Sequence, residues 1–364
     1  MVGSMTDSLA PRRLALHPGP EFRRLWNAHG MIVIAMALYG LAWEIVKTSY
    51  GTPRSISYFN TFVIFGAVVP TLLTGGILGR LVWYATVERP QSVIGAIWRD
   101  ARQYRRLANG LTAMLLLVSF IWQFTQFKAA IPDVIPFRYD PEFMALDRAL
   151  HFGRLPQEWL SFLLDWPWLI ATLNVVYNCW FLFMWGAVFA ASFQLEDSFG
   201  RRHFLICFLL LWMLAGTAMA MLLSSAGPCF YGRLFPALAD PYGGLMARLH
   251  DINTHWPVWA LFVQDQIWQA YVNRTDLTSI SAMPSMHNAT CLILALAGFR
   301  VNRWLGGLAA AYAATIFISS LMLGWHYAAD SYVGWSLAIL IWHATKPLAR
   351  FDFFPSPATE VELP

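Results

Sequence analysis

Charge is what this chain has least of. Asp, Glu, Lys and Arg make up 13% of its 364 residues, against roughly 25% in soluble domains, and the mean hydropathy is +0.48. That shortage argues against a soluble globular protein. Cysteine is scarce too: Cys179, Cys207 and Cys291 fall inside apolar runs and Cys229 in a loop, so no disulfide framework is readable. The formal net charge of +4 comes from basic residues at the ends of apolar runs, so no nucleic-acid partner is expected. No internal repeat is present. The N-terminal "MVGSMTDSLAPRRLALHPGPEFRR" is too long and too broken by proline for a cleavable signal peptide, so the first apolar run is expected to stay as an anchor.

Apolar runs and aromatic rings are abundant. Eight runs of spanning character cover about 28–46, 58–79, 108–127, 167–193, 203–225, 286–300, 304–323 and 328–345. Eighteen Trp and 13 Tyr suit their headgroup-level ends. Lipid leaves helices as the default solution for the backbone, so the fold expected is all-α, a polytopic membrane helix bundle of about eight transmembrane helices.

Lys and Arg set the orientation. The N-terminal tail, residues 80–106, the pairs Arg201/Arg202 and Arg300/Arg303, and Lys346 with Arg350 hold 16 of the 25. Both termini are therefore expected in the cytoplasm. Loops 128–166 and 226–285 and the turn 324–327 then face outward. The chain divides into a cytoplasmic tail (1–27), two accessory spans with a basic loop (28–106), a six-helix catalytic core (107–347) and a C-terminal tail (348–364), whose "PSPATEVELP" is expected to be disordered. Within the first outer loop, "DPEFMALDRALHFG" sets Phe143, Leu146 and Leu150 opposite Glu142, Asp147 and Arg148. This spacing predicts a short helix ended by Gly153, lying either in the membrane interface or as a packed lid.

Ionisable groups at span ends are costly to keep from water, so clusters of them mark candidate sites. "MPSMHNA" carries Pro284, Ser285 and His287, and "GWHYAAD" carries His326 and Asp330. His326 and Asp330 lie one helical turn apart, so the carboxylate can hold one imidazole nitrogen and leave the other basic. Pro284 starts a helix whose first N–H groups, with Ser285, can seat an anion, and His287 can pass a proton to a leaving oxygen. The last three spans bring both clusters to one face.

These motifs resemble the second and third signatures of the type 2 phosphatidic acid phosphatase superfamily, PSGH and SRxxxxxHxxxD, over about residues 167–345. The resemblance implies that His326 is a nucleophile forming a phosphohistidine, Asp330 its partner, His287 the general acid and Ser285 a phosphate ligand, with no metal and no cofactor. Two departures stand out: Met286 replaces the Gly of PSGH, and Ser320 stands where the third motif has Arg. No KxxxxxxRP is present. The inositol phosphorylceramide synthase-like branch lacks the same cations, and "FRYDPEFMALDRALHFG" and "SSAGPCFYGRLFP" also look like that branch, with Gly227, Pro228 and Tyr231 shaping the exit from the fifth span.

Phosphate still needs positive charge. Arg233 and Arg248 are the expected phosphate ligands, Arg233 the favoured one, while Arg274 reads better as a solvated residue. His250, Asp251 and His255 are metal-ligand types without a completing cluster. The function expected is transfer or hydrolysis of a phosphoryl or phospho-headgroup at the outer face. Its partners are the membrane, a lipid substrate and a lipid or polyol acceptor, in a bacterial inner membrane or, in a eukaryote, facing the Golgi lumen. The rival class is a transporter that binds the same compounds without chemistry; against it stands the lack of paired, broken halves.

Overall fold

A computed structural model describes residues 18–51, 89–194, 198–275 and 280–355, without the side chains of residues 100 and 101. Among the described residues every regular element is helical. Helices α1 (Pro20–Tyr50), α2 (Val93–Ala101) and α3 (Tyr104–Val134) are followed by the short α4 (Asp140–Leu150). Helices α5 (Pro167–Asn178) and α6 (Trp180–Ser192) make one 26-residue rod with a turn at Cys179. Helix α7 (Phe199–Met213) continues through a π-helical turn, Leu214–Met219, to Leu222. The segment that follows holds α8 (Gly243–Asn253) and α9 (Trp259–Val272), and after it come α10 (Met286–Val301), α11 (Arg303–Met322) and α12 (Ala328–Arg350).

Seven of the eight apolar runs are helical; the remaining one, 58–79, lies outside the described residues. Among the described residues five helices are long and apolar enough to cross a membrane: α1, α3, the α5–α6 rod, α7 with its continuation, and α11. Inside a bilayer their backbone groups are satisfied within each helix. Helix α7 is the most buried of the five and packs on α12, α10, α1 and α6. Helices α10 and α11 form a tight hairpin whose turn is capped by Asn302, which accepts from the Leu305 N–H at 2.8 Å.

Three features differ from the sequence reading. Helix α3 runs to Val134, past the expected end at residue 127, and so takes Lys128 into its last turns. The stretch read as loop 226–285 contains α8 and α9, which bury Leu245, Leu249 and Ile252, and Ala260, Leu261 and Gln264, at helical spacing. In α4 the amphipathic pattern is partly inverted. Asp147, expected on the polar face, is 1% exposed, whereas Leu146 and Leu150 are exposed. The reason is hydrogen bonding: the Asp147 carboxylate takes two backbone N–H groups of α12. The helix ends as expected, with the Gly153 N–H donating to Arg148 O at 2.8 Å.

Candidate active site

His326 sits in the turn between α11 and α12. The N–H groups of Trp325 and His326 both donate to Ser320 O, at 3.0 and 3.3 Å, which folds the turn back onto the end of α11. Asp330, in the first turn of α12, then does two things with one oxygen. Its Oδ2 accepts from the Tyr327 N–H at 3.0 Å, closing the helix start, and from His326 Nδ1 at 3.1 Å. The carboxylate is fully buried, so its geometry is set by the helix and the imbalance of one free oxygen is kept from water. The ring's other polar neighbour is the backbone of Ala282. Burial first, and the charge of Lys128 second, hold the His326 pKa far below the ordinary imidazole range, at about 3. At neutral pH this imidazole is uncharged and keeps a lone pair on one ring nitrogen.

The segment 280–285 is laced into place from both sides. Ala282 N–H donates to Ser225 O at 2.9 Å, and Ser285 N–H donates to Asp330 O at 3.0 Å. The close approach to α12 requires Gly334, where a Cβ would lie 2.8 Å from Ser285 O. Ser285 caps α10: its Oγ accepts from the Asn288 N–H and from Asn288 Nδ2 at 3.0 Å, and the residue is fully buried. Asn288 Nδ2 also reaches Ser320 Oγ at 3.4 Å. The position where the third motif carries Arg is thus occupied by a compact neutral network of Ser285, Asn288 and Ser320.

His287, on the first turn of α10, is half-buried and faces His326 with 5.9 Å between ring centroids. Its imidazole is stacked on Tyr177 at 4.5 Å and lies against Trp180 at 4.1 Å. Like every helix start, α10 has first-turn N–H groups free of intrahelical acceptors.

The cation that the sequence reading missed is Lys128. Its charge acts on both His287 and His326, and it has no carboxylate partner within ion-pair distance among the described residues. Phe124, one turn earlier on the same face of α3, packs against the π-helical turn beside Met286, which places this face of α3 at the start of α10. The signal was present in the sequence. Lys128 is the one ionisable residue between Arg106 and Asp133, and it precedes Pro136 at the KxxxxxxRP spacing with Ile135 in the Arg position.

The two arginines expected as phosphate ligands are each engaged by a carboxylate. Arg233 pairs with Asp265 at 3.3 Å and lies over the Trp268 ring, and Arg248 pairs with Asp251 at 2.6 Å; all four charged side chains are exposed. Arg274 is exposed in the turn after α9.

A family model described as the PAP2 superfamily matches residues 141–344, more than half of the chain. The chain belongs to the PAP2 superfamily. No curated protein and no solved structure matches it. Superfamily membership and the apolar helices together make it an integral membrane protein of phosphatase type. The match includes both histidine motifs and α4 apart from Asp140, and begins after Lys128.

Helix α4 bears on the site through two carboxylates. Asp147 Oδ2 and Oδ1 accept from Ala328 N–H and Ala329 N–H, each at 2.8 Å. Asp140 accepts from the N–H groups of Ala226 and Gly227 at 3.0 and 2.7 Å and from Tyr327 Oη at 2.9 Å. Gly227 in turn passes so close to Trp325 O that a Cβ there would lie 2.6 Å from it. One helix therefore ties down residues 226–227 and 327–329, on both sides of His326. Burial raises the pKa of both acids, that of Asp140 to about 6.

Proposed function

We propose that this PAP2 protein transfers or hydrolyses the phosphoryl group or phospho-headgroup of a lipid through a phosphohistidine on His326. The observation that supports it most is the grouping of an uncharged, Asp330-held imidazole, a second imidazole 5.9 Å away and Lys128, which has no carboxylate partner among the described residues. Asp330 holds Nδ1, so Nε2 carries the free lone pair. That lone pair forms the N–P bond while the bond from phosphorus to the leaving oxygen breaks, and His287 gives that oxygen its proton. In the second step His287 takes the proton of an incoming hydroxyl, whose oxygen displaces Nε2 and restores His326. An in-line arrangement of this kind spans roughly 6–7 Å from nucleophile to acid, in keeping with the separation of the rings.

Lys128 and the first N–H groups of α10 bear the non-bridging oxygens. In this reading Ser285 shapes the helix start, and Arg233 and Arg248 serve the outer surface. The incoming hydroxyl is water in a phosphatase and a lipid or polyol in a transferase on the inositol phosphorylceramide synthase pattern. Ile135 and Ser320 at the two arginine positions keep transfer level with hydrolysis. The site faces outward, to the periplasm of a bacterial inner membrane or to a Golgi lumen.

The test is to offer the purified protein a panel of phospholipids and polyprenyl phosphates, with and without ceramide, diacylglycerol or inositol. Free phosphate and new phospholipids are followed together, with His326→Ala as the blank. Turnover that survives in His326→Ala contradicts the proposal.

A further inference from the structure

Helices α10 and α12 both begin beside the two imidazoles, and both carry an arginine in their last turn, Arg300 and Arg350. The 23 residues of α12 put Arg350 roughly 30 Å from His326, at the opposite end of the bundle.

There the two guanidiniums meet at one ring. Phe199, the first residue of α7, has Arg300 Cζ 5.4 Å and Arg350 Cζ 5.2 Å from its centroid. Arg300 Cζ also lies 4.3 Å from the centroid of Trp342, on α12. His203, stacked on Phe199 and fully buried, fixes the direction of Arg300. Its Nε2 lies 2.8 Å from Trp342 O, which can only accept, so Nε2 carries the proton and Nδ1 the lone pair. Nδ1 then accepts from Arg300 Nη1 at 2.6 Å. A neutral ring orients this cation without balancing its charge.

What the pair lacks is an anion. Neither arginine has a carboxylate partner among the described residues, and Asp352, two residues beyond Arg350, is held by Arg202 at 2.6 Å. A guanidinium has five N–H donors. His203 takes one from Arg300, and no described residue accepts from the rest or from Arg350. Planar forks of this kind match the oxygens of a phosphate. The collar around them says what carries that phosphate: Phe299 and Val301 flank Arg300, Phe351 follows Arg350, and all three apolar side chains are exposed, as is Trp304. At the ends of bilayer helices such side chains sit at headgroup level, so the anion that fits arrives with acyl chains. A choline headgroup would bring a third cation to a site that already holds two.

We propose that Arg300 and Arg350, gathered at Phe199, seat the phosphate of an anionic phospholipid at the end of the bundle opposite His326. Basic pockets between helix ends suit such headgroups. The site is separate from the catalytic one and does not depend on the chemistry at His326.

The test is titration of dioctanoyl phosphatidylglycerol, dioctanoyl phosphatidylcholine and inorganic phosphate against the purified full chain in a neutral detergent, with retained lipid read by native mass spectrometry. Saturable retention of phosphatidylglycerol, at least about tenfold tighter than that of phosphatidylcholine, is expected. Arg300→Gln and Arg350→Gln each remove one guanidinium and should each weaken it by roughly ten- to a hundredfold. Arg303→Gln removes an exposed cation at the same end that lies over Trp304 instead, and should leave retention unchanged. Equal retention of the two lipids, no loss in Arg300→Gln and Arg350→Gln, or the same loss in all three variants overturns the proposal. Inorganic phosphate that displaces the lipid at equal concentration overturns the lipid as occupant. If neither Arg300→Gln nor Arg350→Gln folds, a headgroup photolabelled phosphatidylglycerol on the unmodified protein decides. Label on peptides carrying Phe199, Arg300 or Arg350 supports the site, and label confined to the peptide carrying His326 overturns it.

Discussion

Replacing Asp147 by Ala takes away the acceptor for the Ala328 and Ala329 N–H groups, both bonded at 2.8 Å in a place that is 1% exposed. A buried donor left without a partner costs about 1–3 kcal/mol, so two would cost about 2–6 kcal/mol. The burial that raises the Asp147 pKa is a cost of the wild-type arrangement. Its relief in the variant brings the net toward the low end, about 2 kcal/mol. Activity should fall more than stability, because residues 328–329 start the helix that carries Asp330 and follow His326 directly. A displacement of the nucleophile by about 1 Å is enough for roughly a hundredfold loss. The assay is a thermal melt in detergent at fixed scan rate, beside kcat on whichever lipid the wild type turns over. Asp147→Asn, which keeps one acceptor oxygen, should fall between. Wild-type melting together with wild-type kcat in Asp147→Ala would refute the idea that α4 holds the His326 turn.

Lys128→Met should lower kcat/KM by roughly a hundred- to a thousandfold, the usual cost of removing one group that stabilises developing charge; a loss under fivefold would move the cation role elsewhere. Arg233→Gln and Arg248→Gln break exposed ion pairs and should change stability by less than about 1 kcal/mol, with kcat/KM nearly unchanged; a hundredfold loss in either would bring that arginine into the phosphate site. The pH profile of kcat/KM should show no limb from His326 between pH 5 and 8. Its pKa is lowered to about 3, so it stays uncharged until the pH falls toward that value. Between about 6.5 and 3 the unfolded chain binds this proton and the folded chain does not, so this contribution to stability is lost as the pH falls through that window. A limb near pH 6 is expected to come from Asp140, raised to about 6. It should disappear in Asp140→Asn, and its survival there would contradict the assignment.

The helical bundle was legible because spanning segments are written in composition and length, which need no tertiary knowledge. The His326–Asp330 pair was legible because a four-residue spacing on a helix is local geometry. The limits came where distant parts of the chain meet. Lys128 lies near the end of a helix that closes on motifs more than 150 residues later, and the expected end of α3 left it in a loop. Asp147 looked solvent-facing because amphipathic reasoning assigns a carboxylate to water, whereas here it accepts the first N–H groups of another helix. Arg233 looked near the site in the sequence, and in the structure its exposed side chain pairs with Asp265 and lies over Trp268, both on α9. Ser285 stands at the start of α10, where the proline before it suggested a helix start, and its hydroxyl is engaged by Asn288.

The central claim is that phosphorus passes through His326. The most direct measurement is rapid quench into alkali, where phosphohistidine survives, during turnover of a phospholipid labelled at phosphorus, followed by mapping of the labelled peptide. Label on the peptide carrying His326, absent in His326→Ala, is the predicted result. Undiminished turnover with no label on that peptide, or with the label on another residue, would contradict it.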